Sequence, residues 1–270
     1  MSLNSNRKLP LRSALHLIVA IFLIGGVAFA EDAVHLQPTV TSTNASIIAR
    51  SHFIKARARF RSETNNPDAA WQFGRACFDA ADFAVNSDER AEIAEIGIAA
   101  CRKSLAQSNS APGHYYLGMN FGQLAQTKTL GALKLVDEME REFSAARAMD
   151  EHFDFAGPDR NLGLLYMEAP SFASIGSRSK ARLHLRRAAE LAPDYPENRL
   201  NLIELYLKSS DRNSALRELK ALEDIWPKAQ QELTGPMWAT SWTDWSRRLK
   251  KAKQKLEDTP KALESPRQSE

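Results

Sequence analysis

Few side chains in this sequence are placed to do chemistry. Asp150-Glu151-His152-Phe153-Asp154 sets one imidazole among three carboxylates, a mixture able to hold a metal ion or exchange a proton. Such a site needs further ligands at fixed spacing. His35, His52, His114 and His184 are scattered, with no His-x-x-x-His or His-Glu-x-x-His frame. The acidic cluster also falls where one helical unit turns into the next, a place for solvated charge. Gly176-Ser177-Arg178-Ser179-Lys180 contains residue types that cradle phosphate but lacks the Gly-x-x-x-x-Gly-Lys-Ser/Thr frame. It reads as a loop and N-cap for a helix starting near Lys180. No Gly-x-Ser-x-Gly elbow is present. The expectation is a binding protein and not an enzyme, with no catalytic residue, no metal and no cofactor.

Cys77 and Cys101 are the only cysteines, which excludes a disulfide-dense fold and a multi-Cys zinc site. They fall at similar heights on the two antiparallel helices of one hairpin. A disulfide and a pair of buried free thiols both fit that placement.

The elements that position these residues are helical and repeated. Ala181, Leu185, Ala188 and Pro193 recur as Ala215, Leu219, Leu222 and Pro227, each 34 residues on. That is the period of the tetratricopeptide repeat, in which small residues let two helices approach and a proline stops the second one. Leu202 and Tyr206 mark the first helix of the last unit, and Leu162, Gly163 and Tyr166 that of the unit before. Tyr116, Leu117, Gly118 and Phe121 mark another, answered by Phe143 and Ala146. Trp71, Gly74 and Phe78 mark the earliest, answered by Gly97, Cys101 and Ser104. Four hairpins are predicted, near 67–110, 111–153, 156–195 and 196–229, within an all-α solenoid domain spanning 67–229.

Flanking segments complete the division. Arg7, Lys8 and Arg12 precede the apolar run from Ala14 to Val27, and Ala28-Phe29-Ala30 precedes Glu31-Asp32. This is the pattern of a cleavable secretory signal over 1–30, with an apolar core of about fourteen residues, short of a membrane span. Cleavage after Ala30 and delivery to the periplasm are expected. The segment 31–66 carries a helix from about Ala45 to Arg61, a half-repeat whose Ile48, Phe53, Ala56 and Phe60 share a face. In 230–257, Trp238, Trp242, Trp245 and Leu249 recur at helical spacing and should form a capping helix. A polar tail, 258–270, has the composition of disorder. The formal charge of +3 includes the three basic residues of the leader, leaving the remainder near neutral and nucleic acid an unsupported partner.

Beyond the repeat period, three runs carry a family likeness: Asn66-Pro67-Asp68-Ala69-Ala70-Trp71 through Cys77, Gly113-His114-Tyr115-Tyr116-Leu117-Gly118, and Gly157-Pro158-Asp159-Arg160-Asn161-Leu162-Gly163 through Pro170. Together with Leu133-Lys134-Leu135-Val136 and Pro193-Asp194-Tyr195-Pro196-Glu197-Asn198, the chain resembles the periplasmic T component of TRAP transporters and its relatives. The resemblance covers most of 66–229. It implies a helper protein that docks a solute-binding protein or holds an apolar ligand, and leaves homo-oligomerisation open. Such proteins are often lipid-anchored, and this chain lacks the lipidation cysteine. A general cell-envelope adaptor for peptide segments is the alternative.

Stacked hairpins bind through the inner sides of their first helices. Counting from the repeat positions, the concave groove would present Gln72 and Asp79 in the first unit and Tyr115, Met119 and Gln123 in the second. Arg160, Leu164, Met167 and Glu168 follow in the third, then Leu200, Glu204 and Lys208 in the fourth. Aromatic and Met side chains among polar groups suit a peptide segment or an elongated apolar ligand.

Overall fold

Helix starts are written into the chain as side-chain caps. Asn66 accepts from the amides of Asp68 and Ala69, Asn86 from Glu89, Ser110 from Gly113, Ser177 from Lys180 and Asp211 from Ser214. Pro67, Pro112 and Pro196 sit in first turns, where their missing amide costs nothing. The computed structural model describes residues 40–128, 131–170 and 174–258. The predicted signal 1–30, the chain before the first helix and the tail beyond 258 lie outside the described residues.

Among the described residues the chain is all helical, with ten helices and no strand. An N-terminal helix α1 (Val40–Ser62) is followed by four hairpins: α2 (Pro67–Ala81) with α3 (Ser87–Gln107), α4 (Ala111–Ala125) with α5 (Ala132–Met149), α6 (Phe153–Glu168) with α7 (Arg178–Leu191), and α8 (Pro196–Lys208) with α9 (Arg212–Glu232). A final helix, α10 (Ala239–Asp258), completes the fold. Each helix packs on the next through α9, and the first helices of successive hairpins, α2, α4, α6 and α8, also touch one another in a row. This is a solenoid of helical hairpins.

The hairpins close tightly because glycine stands at the contact. A Cβ added at Gly74 would lie 2.2 Å from the Cys101 sulfur, one at Gly118 2.7 Å from the Phe143 ring, and one at Gly163 2.6 Å from Leu185. The same contact thus recurs in three units, filled by a different side chain each time. A continuous apolar core runs from Phe78 to Leu256, while Phe73, Cys77 and Ala100 form a smaller cluster under Phe53, Ala56 and Phe60 of α1. The α1 helix is therefore held by its predicted apolar face.

Two expectations change. Pro227 does not stop the second helix of the last unit: it lies inside α9, which runs to Glu232. Only Pro193, just beyond the end of α7, behaves as a terminator. The Trp-rich helix also does more than cover the last hairpin. It packs on α8 and reaches back to α1, so the two ends of the described chain meet. Trp245 is 1% exposed, and Arg248 is buried where Glu204 accepts from its Nε at 2.7 Å. No helix among the described residues is long and apolar enough to cross a membrane.

Candidate functional site

The inner face is organised by an unusual start to α6. Asp154, Phe155 and Ala156 all take left-handed backbone angles, with φ of 51°, 56° and 60°, before Gly157-Pro158 restarts a right-handed helix. For residues bearing a Cβ this costs about 1–2 kcal/mol each, so surrounding contacts must hold the turn. Arg160 supplies them. Its Nη1 donates to the carbonyls of Asp154 (3.1 Å) and Phe155 (3.0 Å), and its Nη2 to Asp154 Oδ2 at 2.8 Å. Asn198 of α8 donates its amide to the Phe155 carbonyl at 3.1 Å, tying the next unit to the same turn.

Tyr115 of α4 joins from the other side, its hydroxyl donating to Asp154 Oδ2 at 2.9 Å and accepting from Asn161 Nδ2 at 2.9 Å. Three inner helices thus converge on one turn that carries a buried carboxylate. Burial pushes the Asp154 carboxyl above its ordinary range, against the pull of Arg160 and Arg75. The Tyr115 phenol is held well above its usual value, by burial first and then by the Asp154 charge. These bonds hold the turn and join it to α4, so the network is positional.

Aromatic rings flank this network in two sets. Trp71 stacks on Tyr116 with centroids 5.8 Å apart, and Phe153 meets both Tyr115 and Tyr116 edge-on. On the other side Phe155 stacks on Tyr195 at 4.4 Å, and Trp238 meets both rings. Arg75 and Arg160 lie over Tyr116 and Tyr195. Trp71, Phe153 and Phe155 remain partly exposed and form the accessible margin.

Half of the twelve predicted groove residues are buried, and only Lys208 is exposed. Tyr115, Met119, Gln123, Arg160, Leu164 and Leu200 are all at most 2% exposed. Tyr115, Met119 and Arg160 come together around Asn161, which reaches the Met119 sulfur at 3.3 Å. Gln123 instead bridges α2, donating to Asp82 Oδ1 at 2.7 Å, and accepts from Arg90 of α3. Gln72 accepts from Arg59 of α1 at 2.6 Å. Glu168 pairs with Lys208, Glu204 holds Arg248, and Met167 packs against the core. The inner side is therefore a packing surface. The left-handed turn and the Trp238 segment occupy the space that a plain stack of hairpins would leave open.

Asp79 lines a small cleft of about 80 Å³ between α1, the end of α2 and the segment leading into α10, together with Ile48, His52, Asp82, Phe83 and Met237. Burial raises the Asp79 carboxyl to about 7, with Arg75 at 3.9 Å opposing it. His52 is lowered by its burial and by Lys55 and Arg75.

The acidic cluster that suggested chemistry does not assemble. His152 is exposed, its Nε2 4.0 Å from Glu151, while Asp150 accepts from the His152 amide at 2.9 Å and Glu151 pairs with Arg187. Only Asp154 of that run turns inward. Among the described residues no group of three or more His, Cys, Asp or Glu is arranged to hold a metal ion. Cys77 and Cys101 are buried free thiols, the Cys101 sulfur packed against Gly74.

Sequence reasoning missed Asp154, Arg75, Tyr116, Phe155 and Tyr195 as inner-face residues. Two could have been found. Gly157-Pro158 marks a fresh helix start, which makes the residues just before it a turn, and Arg160 one turn later is placed to cap that turn's carbonyls. Compared with known proteins, no family model matches this chain and no curated protein is significantly similar to it.

Proposed function

We propose that this chain is an exported interaction scaffold of the tetratricopeptide type, a periplasmic helper resembling the T component of TRAP transporters, and that it acts without catalysis. The observation that carries the reading is the inner face: four first helices share one surface whose partly exposed margin is the aromatic set Trp71, Phe153 and Phe155, backed by Arg75 and Arg160. Rings with an aliphatic or amphipathic partner bury large area with little side-chain entropy lost, the property needed to hold an elongated apolar ligand or a protein segment. A photo-crosslinking residue at Trp71, introduced into the chain expressed in its own host, tests it. Recovery of a solute-binding protein or a lipid-like adduct supports the transport-associated role, and repeated recovery of neither overturns it.

One observation favours the second reading, an envelope adaptor for peptide segments. The inner face already accepts a Trp-bearing segment of this chain, with Trp238, just before α10, against Phe155 and Tyr195, and Trp245 of α10 against Tyr195 at 5.4 Å. A surface that packs one such helix is suited to another. Crosslinks to the tail of an unrelated envelope protein would decide for this reading.

A further inference from the structure

The outer face of α7 carries charge that the fold leaves unused. Several cations on α7 and its neighbouring helices are committed: Lys180 to Glu140, Arg187 to Glu151, Arg199 to Glu218, Lys208 to Glu168 and Lys228 to Asp194. Among the described residues Arg178, Arg182 and Arg186 form no ion pair, and all three are exposed. Arg182 lies over the Tyr206 ring at 5.6 Å, with Asp211 near enough to feel its charge but not to pair, and Glu190 lies along the same face. Their spacing of four residues sets them about 6 Å apart along one line of the helix. With Ser179 and Ser209 they wall a cleft of about 750 Å³, and Leu183 stands beside it 67% exposed.

We propose that this face docks an acidic helical segment of a partner protein, its carboxylates one turn apart opposite Arg178, Arg182 and Arg186 and an apolar side chain on Leu183. The argument is charge complementarity with matched pitch. Guanidinium groups recognise carboxylates through paired hydrogen bonds, and a row repeating every helical turn is met in register by acidic residues repeating likewise. An exposed leucine within the row supplies the desolvated contact that surface charges alone lack. A cleft that has Glu190 beside its arginines fits a segment better than it fits a flat anionic membrane. This surface lies on a second helix of a hairpin, away from the aromatic margin, so it is independent of the reading of the inner face.

The test uses the full chain and a fluorescent eighteen-residue helical peptide bearing Glu at every fourth position and Leu beside it. A peptide of the same composition with Glu dispersed around the helix serves as comparison. The aligned peptide should bind in a salt-sensitive way, and Arg178→Gln/Arg182→Gln/Arg186→Gln should weaken it at least about tenfold, roughly 1.4 kcal/mol. A variant with the same charge loss elsewhere, Lys220→Gln/Lys250→Gln/Lys251→Gln, should change it less than about twofold. Equal binding of the dispersed peptide, or equal loss in both variants, overturns the proposal. So does arginine-dependent capture of phosphatidylglycerol vesicles without capture of the peptide.

Discussion

Arg160 and Asp154 are joined twice over: the guanidinium meets the carboxylate at 2.8 Å and the same residue's carbonyl at 3.1 Å, so a single side chain neutralises the charge and holds the backbone that presents it. Both residues are buried. Replacing Arg160 by Leu strands a carboxylate and two carbonyls of a left-handed turn, and unfolding in urea should show a loss of about 3–5 kcal/mol. Lys at this position keeps the charge but not the fork, and should recover only part of the loss. A Leu variant as stable as the parent would mean that the turn is held by other contacts.

The repeat pattern sets Tyr115 and Leu164 on an open groove, where Tyr115→Ala and Leu164→Asp would spare the fold. Both are fully buried. The expected outcome is now destabilisation, about 3–5 kcal/mol for the tyrosine and a larger effect for a carboxylate placed in the core. Near-native melting temperatures for both would return them to the surface.

Trp245 is enclosed by Tyr195, Trp238 and Trp242. Trp245→Ala should lower stability by about 3–5 kcal/mol. Truncation after Pro236 removes α10 from α8 and α1, exposing apolar surface, and should give a clearly lower melting temperature or aggregation. An unchanged melting curve would mean that α10 contributes little to the isolated chain.

Asp79 gives a signed pH dependence. Its carboxyl is raised to about 7 in the fold from the ordinary carboxylate range near 4, so the folded state binds the proton more tightly than the unfolded one. Its favourable contribution is full below about pH 4 and is lost as pH rises through 7. Compared with Asp79→Asn, the parent should lose thermal stability progressively between these limits and remain at a constant difference above them. Parallel melting curves across pH 4 to 8 would show that the carboxylate is well solvated.

Cys77 and Cys101 are buried, and burial raises both thiols well above their usual range, which suppresses the reactive thiolate. Native protein should resist alkylation, and denatured, unreduced protein should take up two alkyl groups. A mass two hydrogens lighter, without uptake, would instead reveal a bridge.

The 34-residue recurrence of Ala181/Ala215 and Leu185/Leu219 determined the helical hairpins, because period and residue size report which faces must pack and how closely. Ser177 likewise declared a helix start, since a cap is satisfied by amides two or three residues away. Phe53, Ala56 and Phe60 gave the packing face of α1 for the same local reason. What spacing could not decide was which inner residues stay open. Asp154 looked like solvated charge because its neighbours Asp150, Glu151 and His152 are, and only the left-handed turn rotates it inward to Arg160 and Tyr115. Nor did Pro227 end its helix, since a proline's effect depends on whether the turn around it is held elsewhere. Trp238 and Trp245 announced a buried helix face but not its site. That α10 lies on α8, reaches α1 and closes the inner side was set by contacts between residues more than forty positions apart, such as Arg248 with Asn201 and Glu204, which no local pattern encodes.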